Sequence, residues 1–150
     1  MWCWAASGEM CIEFLGTEVS QCDEANKRFG FGDCCGSPVP GHCVQGGWPE
    51  FNKYRFTAKT TTNAALAWET IEREISCHHR PIAFTWYWSG GGGHMMVIFG
   101  YEIEDDTRYV WVHNPLPPFQ GDTYRMSYEW YVAGPDHSHW DDYYEITKYD

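Results

Sequence analysis

The chain has 150 residues, of which 43% are hydrophobic and 18% aromatic, so it has enough large apolar side chains for a core and is not a disordered protein. Asp and Glu outnumber Lys and Arg by 21 to 10, which gives a formal net charge of −11, and the basic residues are scattered. This pattern argues against partners such as nucleic acid or a membrane surface, and no apolar run is long enough to span a bilayer.

The first third of the sequence predicts helices followed by a long loop. Residues 4–15 are mostly apolar or small and precede Gly16, which indicates a buried helix with Cys3 at its N-terminus. A capping-box pattern at residues 20–23 predicts a second short helix to about residue 29. Residues 30–47 contain six Gly, two Pro and three Cys, a composition typical of a cross-linked or metal-held loop.

The periodicity changes from helical to β at Pro81. Before it, residues 49–54 predict a short helix, and the spacing of Leu66, Ile71 and Ile75 predicts an amphipathic helix that ends before Pro81. The remaining predicted elements are strands at residues 82–88, 95–103, 108–113, 122–126 and 143–148, a hairpin turn at residues 89–93, a proline-rich turn that ends at Pro118, and a short helix at residues 128–132. Since helices precede antiparallel strands, we expect one domain of the α+β class.

Seven cysteines are an odd number, which leaves one thiol unpaired in an oxidising compartment. We expect Cys3 to be that thiol, and the other six to form up to three disulfides: Cys11, Cys22, Cys34, Cys35, Cys43 and Cys77. Two alternatives remain open. Several cysteines are reduced core residues, or a structural zinc ion is held by Cys22, Cys34, Cys35, His42 and Cys43. Residues 136–142 carry two alternate histidines and are predicted to be a loop or surface segment rather than a metal site.

Three residues that are distant in the sequence point to chemistry: Cys3, His94 and Asn114. A cysteine at a helix N-terminus faces unsatisfied backbone N–H groups and the positive end of the helix dipole, which favours the thiolate and makes a nucleophile. A histidine beside it can stabilise the thiolate and later protonate a leaving group, while an Asn orients the ring. Because His94 enters one predicted strand and Asn114 ends the next, the fold can bring these two residues together.

The segments around these residues resemble bacterial papain-like cysteine proteases. The run WCWAAS at residues 2–7 resembles their nucleophile segment, GGHMMV at residues 92–97 their histidine strand, and VHNP at residues 112–115 their third-residue turn. Residues 34–49 are similar to a segment of secreted members, which include plant-pathogen effector proteases, and a more distant resemblance links the chain to peptidases that cleave double-glycine leaders. The resemblance covers most of residues 2–118.

The resemblance implies a papain-like fold, with a nucleophile helix packed on an antiparallel sheet in one peptidase domain over residues 1–150. It implies a secreted, monomeric cysteine endopeptidase that acts on protein or peptide substrates through an acyl-enzyme, without a cofactor or metal. The candidates for lining a substrate groove are Trp4, Trp86, Trp88, Gly92 and Gly93. For the tryptophans of residues 86–88 core packing is the alternative, and it is the one that we favour. Two alternatives stay open: another thiol acyl transfer, such as amidase, deamidase or transglutaminase chemistry, and an inactive binding module.

One feature departs from the family pattern. Papain-like enzymes place a Gln a few residues before the nucleophile, where it stabilises the tetrahedral oxyanion, whereas only Met1 and Trp2 precede Cys3. Loss of one oxyanion donor costs on the order of a hundred- to a thousand-fold in turnover. The departure implies a trimmed chain, a substitute donor or a weak catalyst, and trimming is the expectation that we favour. The backbone N–H of Cys3 remains a donor in each case.

Overall fold

The computed structural model describes residues 2–117 and 120–149. Within these ranges the helices are α1 (Cys3–Phe14), α2 (Gln21–Phe29), α3 (Trp68–Glu72), which continues as a π-helical turn over Arg73–Cys77, and α4 (Tyr128–Val132). Two short 3-10 helices cover Gly41–Cys43 and Phe51–Tyr54. The strands are β1 (Phe56–Thr60), β2 (Ile82–Trp88), β3 (Gly93–Glu104), β4 (Thr107–Asn114), β5 (Asp122–Ser127) and β6 (His137–Lys148).

All six strands of the described part of the chain form one antiparallel sheet in the order β1-β6-β2-β3-β4-β5. The predicted α+β class is confirmed, and the arrangement is consistent with a papain-like fold. None of the helices in the described ranges has the length and apolar character that crossing a membrane requires. The end of the predicted proline-rich turn, at Pro118, lies outside the described residues.

The sheet is covered on both faces, because successive side chains of a strand alternate between them. On one face Ala83, Met95 and Val97 pack with α1 in a core that also contains Trp4 and Ile12. On the other face a second core joins the sheet to α3 and α4, and its largest members are Trp68, Ile71, Phe84, Trp86, Met96, Ile98 and Tyr131. This double burial explains why β2 is a nearly continuous apolar run rather than an alternating one.

Several strand and helix boundaries differ from the sequence predictions, and one strand was not predicted. Strand β1 was not predicted, because it is a short edge strand that pairs only with β6 and is half polar. Strand β6 begins at His137 instead of residue 143, and α3 begins at Trp68 and ends in the π-helical turn. In each case the boundary depends on a tertiary contact that the local pattern does not contain.

Residues 136–142 were expected at the surface, but His139 and Asp142 lie in a buried polar network of β6. His139 Nε2 is 2.5 Å from Asp142 Oδ1, and its Nδ1 is 2.9 Å from the Tyr131 carbonyl oxygen. The Tyr131 hydroxyl and the backbone N–H of Leu66 both contact Asp142 Oδ2. Since both ring nitrogens of His139 face acceptors, both carry protons, and the network holds α4 and the segment before α3 on the sheet.

Disulfides link Cys22 to Cys35 and Cys34 to Cys43. Two of the up to three expected disulfides therefore form, and the candidacy of Cys11 and Cys77 is corrected: both are free, Cys11 buried in the core and Cys77 exposed at the end of the π-helical turn. Cys3 is free, as expected. The zinc alternative requires thiolates from four cysteines that are joined here in disulfides, and His42 instead contacts Asp33 at 2.9 Å.

A buried carboxyl group on α2 provides a test of this packing. Glu24 is 2% exposed, and neither of its oxygens has a hydrogen-bond partner among the described residues. Burial, together with the charges of Glu9 and Glu13, raises the pKa of Glu24 to about 9. The folded protein therefore keeps a proton that the unfolded chain releases above its ordinary pKa of 4.5, so this group lowers stability as the pH rises from there to about 9.

We expect Glu24→Gln to raise the melting temperature, because the amide has the same shape and no proton to lose. The gain in stability over wild type should grow with pH between about 5 and 8, by at most about 1.4 kcal/mol per pH unit. Thermal unfolding followed by circular dichroism over this range measures it. Glu18→Gln, at an exposed position, is the control. A pH-independent difference between Glu24→Gln and wild type would contradict the assignment.

Candidate active site

The N-terminus of α1 is built around Cys3. Trp2 is the N-cap residue, and its carbonyl oxygen accepts the first helical hydrogen bond from the backbone N–H of Ala6 at 2.8 Å. The Trp2 side chain cannot cap the helix, because its indole N–H is a donor and has no acceptor to offer; it donates to the Cys43 carbonyl oxygen at 2.8 Å. The first-turn N–H groups therefore face outward at the positive end of the helix dipole, with Cys3 among them.

The disulfide-linked loop supports this helix end. The indole N–H of Trp4 donates to the Gln45 carbonyl oxygen at 3.0 Å, next to the bond that Trp2 makes to Cys43. The Cys34–Cys43 disulfide thus closes a loop that is bonded to the residues on both sides of Cys3. These contacts fix the thiol at the helix start by long-range bonds rather than by a local cap.

Strand β3 meets α1 along an edge that β4 leaves open. The β3–β4 ladder begins at the pair Val97–His113, whereas β2 pairs with β3 from Gly93 onward. The backbone of Met95 is therefore accessible to α1: its carbonyl oxygen accepts a hydrogen bond from Ser7 Oγ at 3.2 Å, and its backbone makes a hydrogen bond with the Cys3 thiol. This docking places the thiol beside the residue that precedes Met95, which is His94.

His94 and Asn114 are joined by a hydrogen bond of 2.8 Å between Nε2 of the ring and Oδ1 of the amide. Asn114 is the last residue of β4, since Pro115 lacks the N–H that would continue the ladder. The same amide oxygen accepts the backbone N–H of Leu116 at 3.0 Å. An oxygen acceptor at Nε2 means that Nε2 carries a proton, which leaves Nδ1 of His94 to face the Cys3 thiol.

The pKa values of the two reactive groups move in opposite directions. Burial raises the pKa of Cys3, but hydrogen bonds with His94 and with the Met95 backbone outweigh it, so the net pKa is lowered. Burial lowers the pKa of His94, but the hydrogen bonds with Cys3 and Asn114 outweigh it, so the net pKa is raised. Both shifts favour the thiolate–imidazolium form of the pair over the neutral form.

Trp88, on the neighbouring strand β2, packs against His94. Its ring is nearly parallel to that of His94, at an interplanar angle of 20° and a centroid distance of 6.2 Å. Trp86 lies behind it and stacks on His137 with ring centroids 3.6 Å apart. Trp4 and Trp86 are only 2% and 5% exposed, which corrects the expectation that they line a substrate groove. Trp88 is half-buried at the edge of the site.

The glycines before His94 keep the surface beside it open. Gly91 and Gly92 have φ angles of +99° and +82°, which only glycine adopts readily, and they form the turn between β2 and β3. A Cβ at Gly93 would lie 2.6 Å from the Trp140 ring. Trp140 is 42% exposed and meets Tyr87 edge to face at 5.6 Å. Gly92 and Gly93 are exposed as expected, whereas no sequence signal placed Trp140 near them, because β6 pairing decides it.

The structure brings together Cys3, His94 and Asn114 on elements that are far apart in the chain. Sequence reasoning missed three supporting contacts of this cluster: Ser7 on Met95, Leu116 on Asn114, and Tyr124 on Asn114. Ser7 was accessible to prediction, since it lies one helical turn after Cys3 and hence on the same face of α1. Tyr124 was not, because its position depends on the register between β4 and β5.

This α+β fold with a thiol at a helix start, against a histidine on the sheet, is consistent with a papain-like cysteine protease. A family model described as the Peptidase_C39 like family matches residues 1–148, and the chain belongs to that family. The resemblance to papain-like cysteine proteases related to double-glycine leader peptidases is therefore confirmed, and membership suggests cysteine peptidase activity. No curated protein and no solved structure matches the chain at a significant level.

The ion-pair geometry predicts a reactive Cys3. At about pH 6 iodoacetamide should alkylate Cys3 faster than the exposed Cys77, because the thiolate is the nucleophile. His94→Ala should move the alkylation profile of Cys3 to higher pH, since it removes the hydrogen bond that lowers the pKa. Peptide mass spectrometry without a reductant follows both sites, and Cys11, whose pKa burial raises, should stay unlabelled while the protein is folded. Equal rates at Cys3 and Cys77 would contradict the assignment.

Proposed function

We propose that this protein is a cysteine endopeptidase in which Cys3 is the nucleophile, His94 the proton carrier and Asn114 the residue that orients His94. The observation that supports the proposal most directly is the hydrogen bond between His94 Nε2 and Asn114 Oδ1 at 2.8 Å, on a ring whose proximity to Cys3 lowers the pKa of that thiol. The family suggests the cysteine peptidase class, and the proposal assigns its residues and its mechanism.

In the first half-reaction the Cys3 thiolate attacks the carbonyl carbon of a peptide bond. A carbon–sulfur bond forms, the carbonyl electron pair moves to the oxygen, and the backbone N–H of Cys3 in the uncapped first turn donates to that oxyanion. The tetrahedral intermediate then collapses, the carbon–nitrogen bond breaks, and His94 gives its proton to the departing amine. The products of this half-reaction are the free amine and a thioester on Cys3.

In the second half-reaction water releases the acyl group. Neutral His94 removes a proton from the water molecule as its oxygen attacks the thioester carbon. The carbon–sulfur bond breaks, the carboxylic acid leaves, and the thiolate and imidazolium are restored. Asn114 keeps the ring in one plane during both steps, because its Oδ1 holds Nε2 throughout.

The proposal extends to the setting of the enzyme. The two disulfides are consistent with an exported protein, because such bonds persist in oxidising compartments. We infer a monomeric, secreted peptidase domain over residues 1–150 that acts on proteins or peptides. Its net charge of −11 attracts basic segments of a substrate over acidic ones.

Digestion of fluorescent casein tests the activity. Wild type should cleave it, Cys3→Ser should abolish cleavage, and Cys77→Ser, a matched control at a free cysteine outside the site, should leave it unchanged. Asn114→Ala should lower kcat/KM by about 10- to 150-fold, the equivalent of one hydrogen bond to a charged group.

Mass spectrometry of the products separates peptidase from other acyl-transfer chemistry. New chain termini identify cleaved peptide bonds, whereas intact chains with a Gln converted to Glu or joined to an amine would identify a deamidase or transglutaminase. A folded protein that neither cleaves nor modifies casein or a peptide library, and whose Cys3 is inert to iodoacetamide, would contradict the proposal.

A further inference from the structure

Tyr124 on β5 contacts the far side of the Asn114 amide. Asn114 Nδ2 donates to the Tyr124 hydroxyl oxygen at 3.2 Å, and that hydroxyl in turn donates to the Met96 sulfur at 3.7 Å. The β4–β5 register pairs Asn114 with Asp122, so Tyr124, two residues further along β5, points to the same face of the sheet. Tyr124 is half-buried and contacts Asn114 rather than the His94 ring.

The orientation of this amide decides what His94 can do. A carboxamide has one end that accepts and one that donates, so the Asn114 side chain supports a protonated Nε2 only when Oδ1 faces the ring. If the amide turned over, Nδ2 would face Nε2 and would require an unprotonated nitrogen there. The imidazolium has a proton on both nitrogens, so a turned amide disfavours it and with it the thiolate of Cys3.

Three hydrogen bonds select the orientation that is observed. Oδ1 accepts from His94 Nε2 and from the backbone N–H of Leu116, while Nδ2 donates to Tyr124. The Tyr124 hydroxyl is the partner of the nitrogen end, and it is fixed by its own bond to Met96. Removing this hydroxyl leaves the Nδ2 end without that acceptor.

We propose that Tyr124 is a positioning residue of the active site, whose hydroxyl holds the Asn114 amide in the orientation that keeps His94 protonated at Nε2. The proposal rests on the function proposed above and adds to it a residue that acts through Asn114. Because Leu116 also selects the orientation, the effect of Tyr124 is partial, roughly two- to tenfold in kcat/KM, the equivalent of one ordinary hydrogen bond.

Tyr124→Phe is the test, because it removes the hydroxyl and keeps the ring. The rate of Cys3 alkylation by iodoacetamide, measured against pH, reports the thiolate without any substrate. We expect the profile of Tyr124→Phe to move to higher pH than that of wild type, and the bell-shaped pH dependence of kcat/KM to narrow from both sides. Tyr128→Phe is the matched control: it removes the hydroxyl bonded to the Leu66 carbonyl at 2.6 Å and should change the melting temperature without moving the profile.

The same substitution made in an Asn114→Asp protein distinguishes a positioning role of Tyr124 from a general loss of packing. In Asn114→Asp both carboxylate oxygens accept, so the orientation of the group no longer matters. In this background Tyr124→Phe should not move the alkylation profile to higher pH. The proposal would be overturned if Tyr124→Phe moved the alkylation profile by the same amount in the wild-type protein and in Asn114→Asp. It would also be overturned if the Tyr124→Phe profile coincided with that of wild type.

A measurement on the unmodified protein guards against a variant that does not fold. The ¹⁵N chemical shifts of the His94 ring should show a protonated Nε2 across the active pH range, and an unprotonated Nε2 would overturn the proposal.

The proposed function and the proposed role of Tyr124 fail differently in the alkylation experiment. If Cys3 of the wild type reacts no faster than Cys77, the proposed function and the role of Tyr124 fail together. If Cys3 reacts as a thiolate in both wild type and Tyr124→Phe with one profile, only the role of Tyr124 fails.

Discussion

The open edge of β3 before Val97 is the constraint on which the site depends. Strand β4 ends at Asn114, so the backbone of Met95 has no partner in the sheet on that side and bonds instead to Ser7 and Cys3 of α1. If β4 continued to pair, these backbone groups would be satisfied within the sheet and the helix start could not dock. The same strand end therefore creates the docking position for α1 and delivers the Asn114 side chain to His94.

Two histidines on one face of the sheet show how the partners of a ring determine its role. His139 has an acceptor at each nitrogen, namely Asp142 and the carbonyl oxygens of α4, so both of its ring N–H groups make structural hydrogen bonds. Burial lowers the pKa of His139, but these partners raise it above its usual value. His94 has a fixed partner only at Nε2, and its other nitrogen faces a thiol that takes part in the chemistry we propose.

The local features of this architecture can be predicted from the sequence, whereas the long-range ones cannot. The helix that begins at Cys3, the hairpin around the glycine run and the strand that ends at Asn114 were predictable, because residue periodicity and turn residues lie within each segment. The start of β6 and the disulfide partners were not, because both depend on which distant segments meet. Which tryptophans line a groove was not predictable for the same reason: Trp4 and Trp86 were groove candidates, yet both are buried in the core.

His94 is bonded to a neutral amide, whereas His139 is bonded to a carboxylate, and this difference affects how tightly each ring holds its proton. A carboxylate stabilises an imidazolium by charge as well as by a hydrogen bond, and so it holds the ring proton more tightly than an amide does. For a buried structural ion pair such as His139–Asp142 that is favourable. A ring that must give its proton to a leaving amine is better served by a partner that fixes its orientation without a full negative charge. In the mechanism that we propose, Asn114 meets that requirement, because its oxygen orients His94 without adding a second anion beside Cys3.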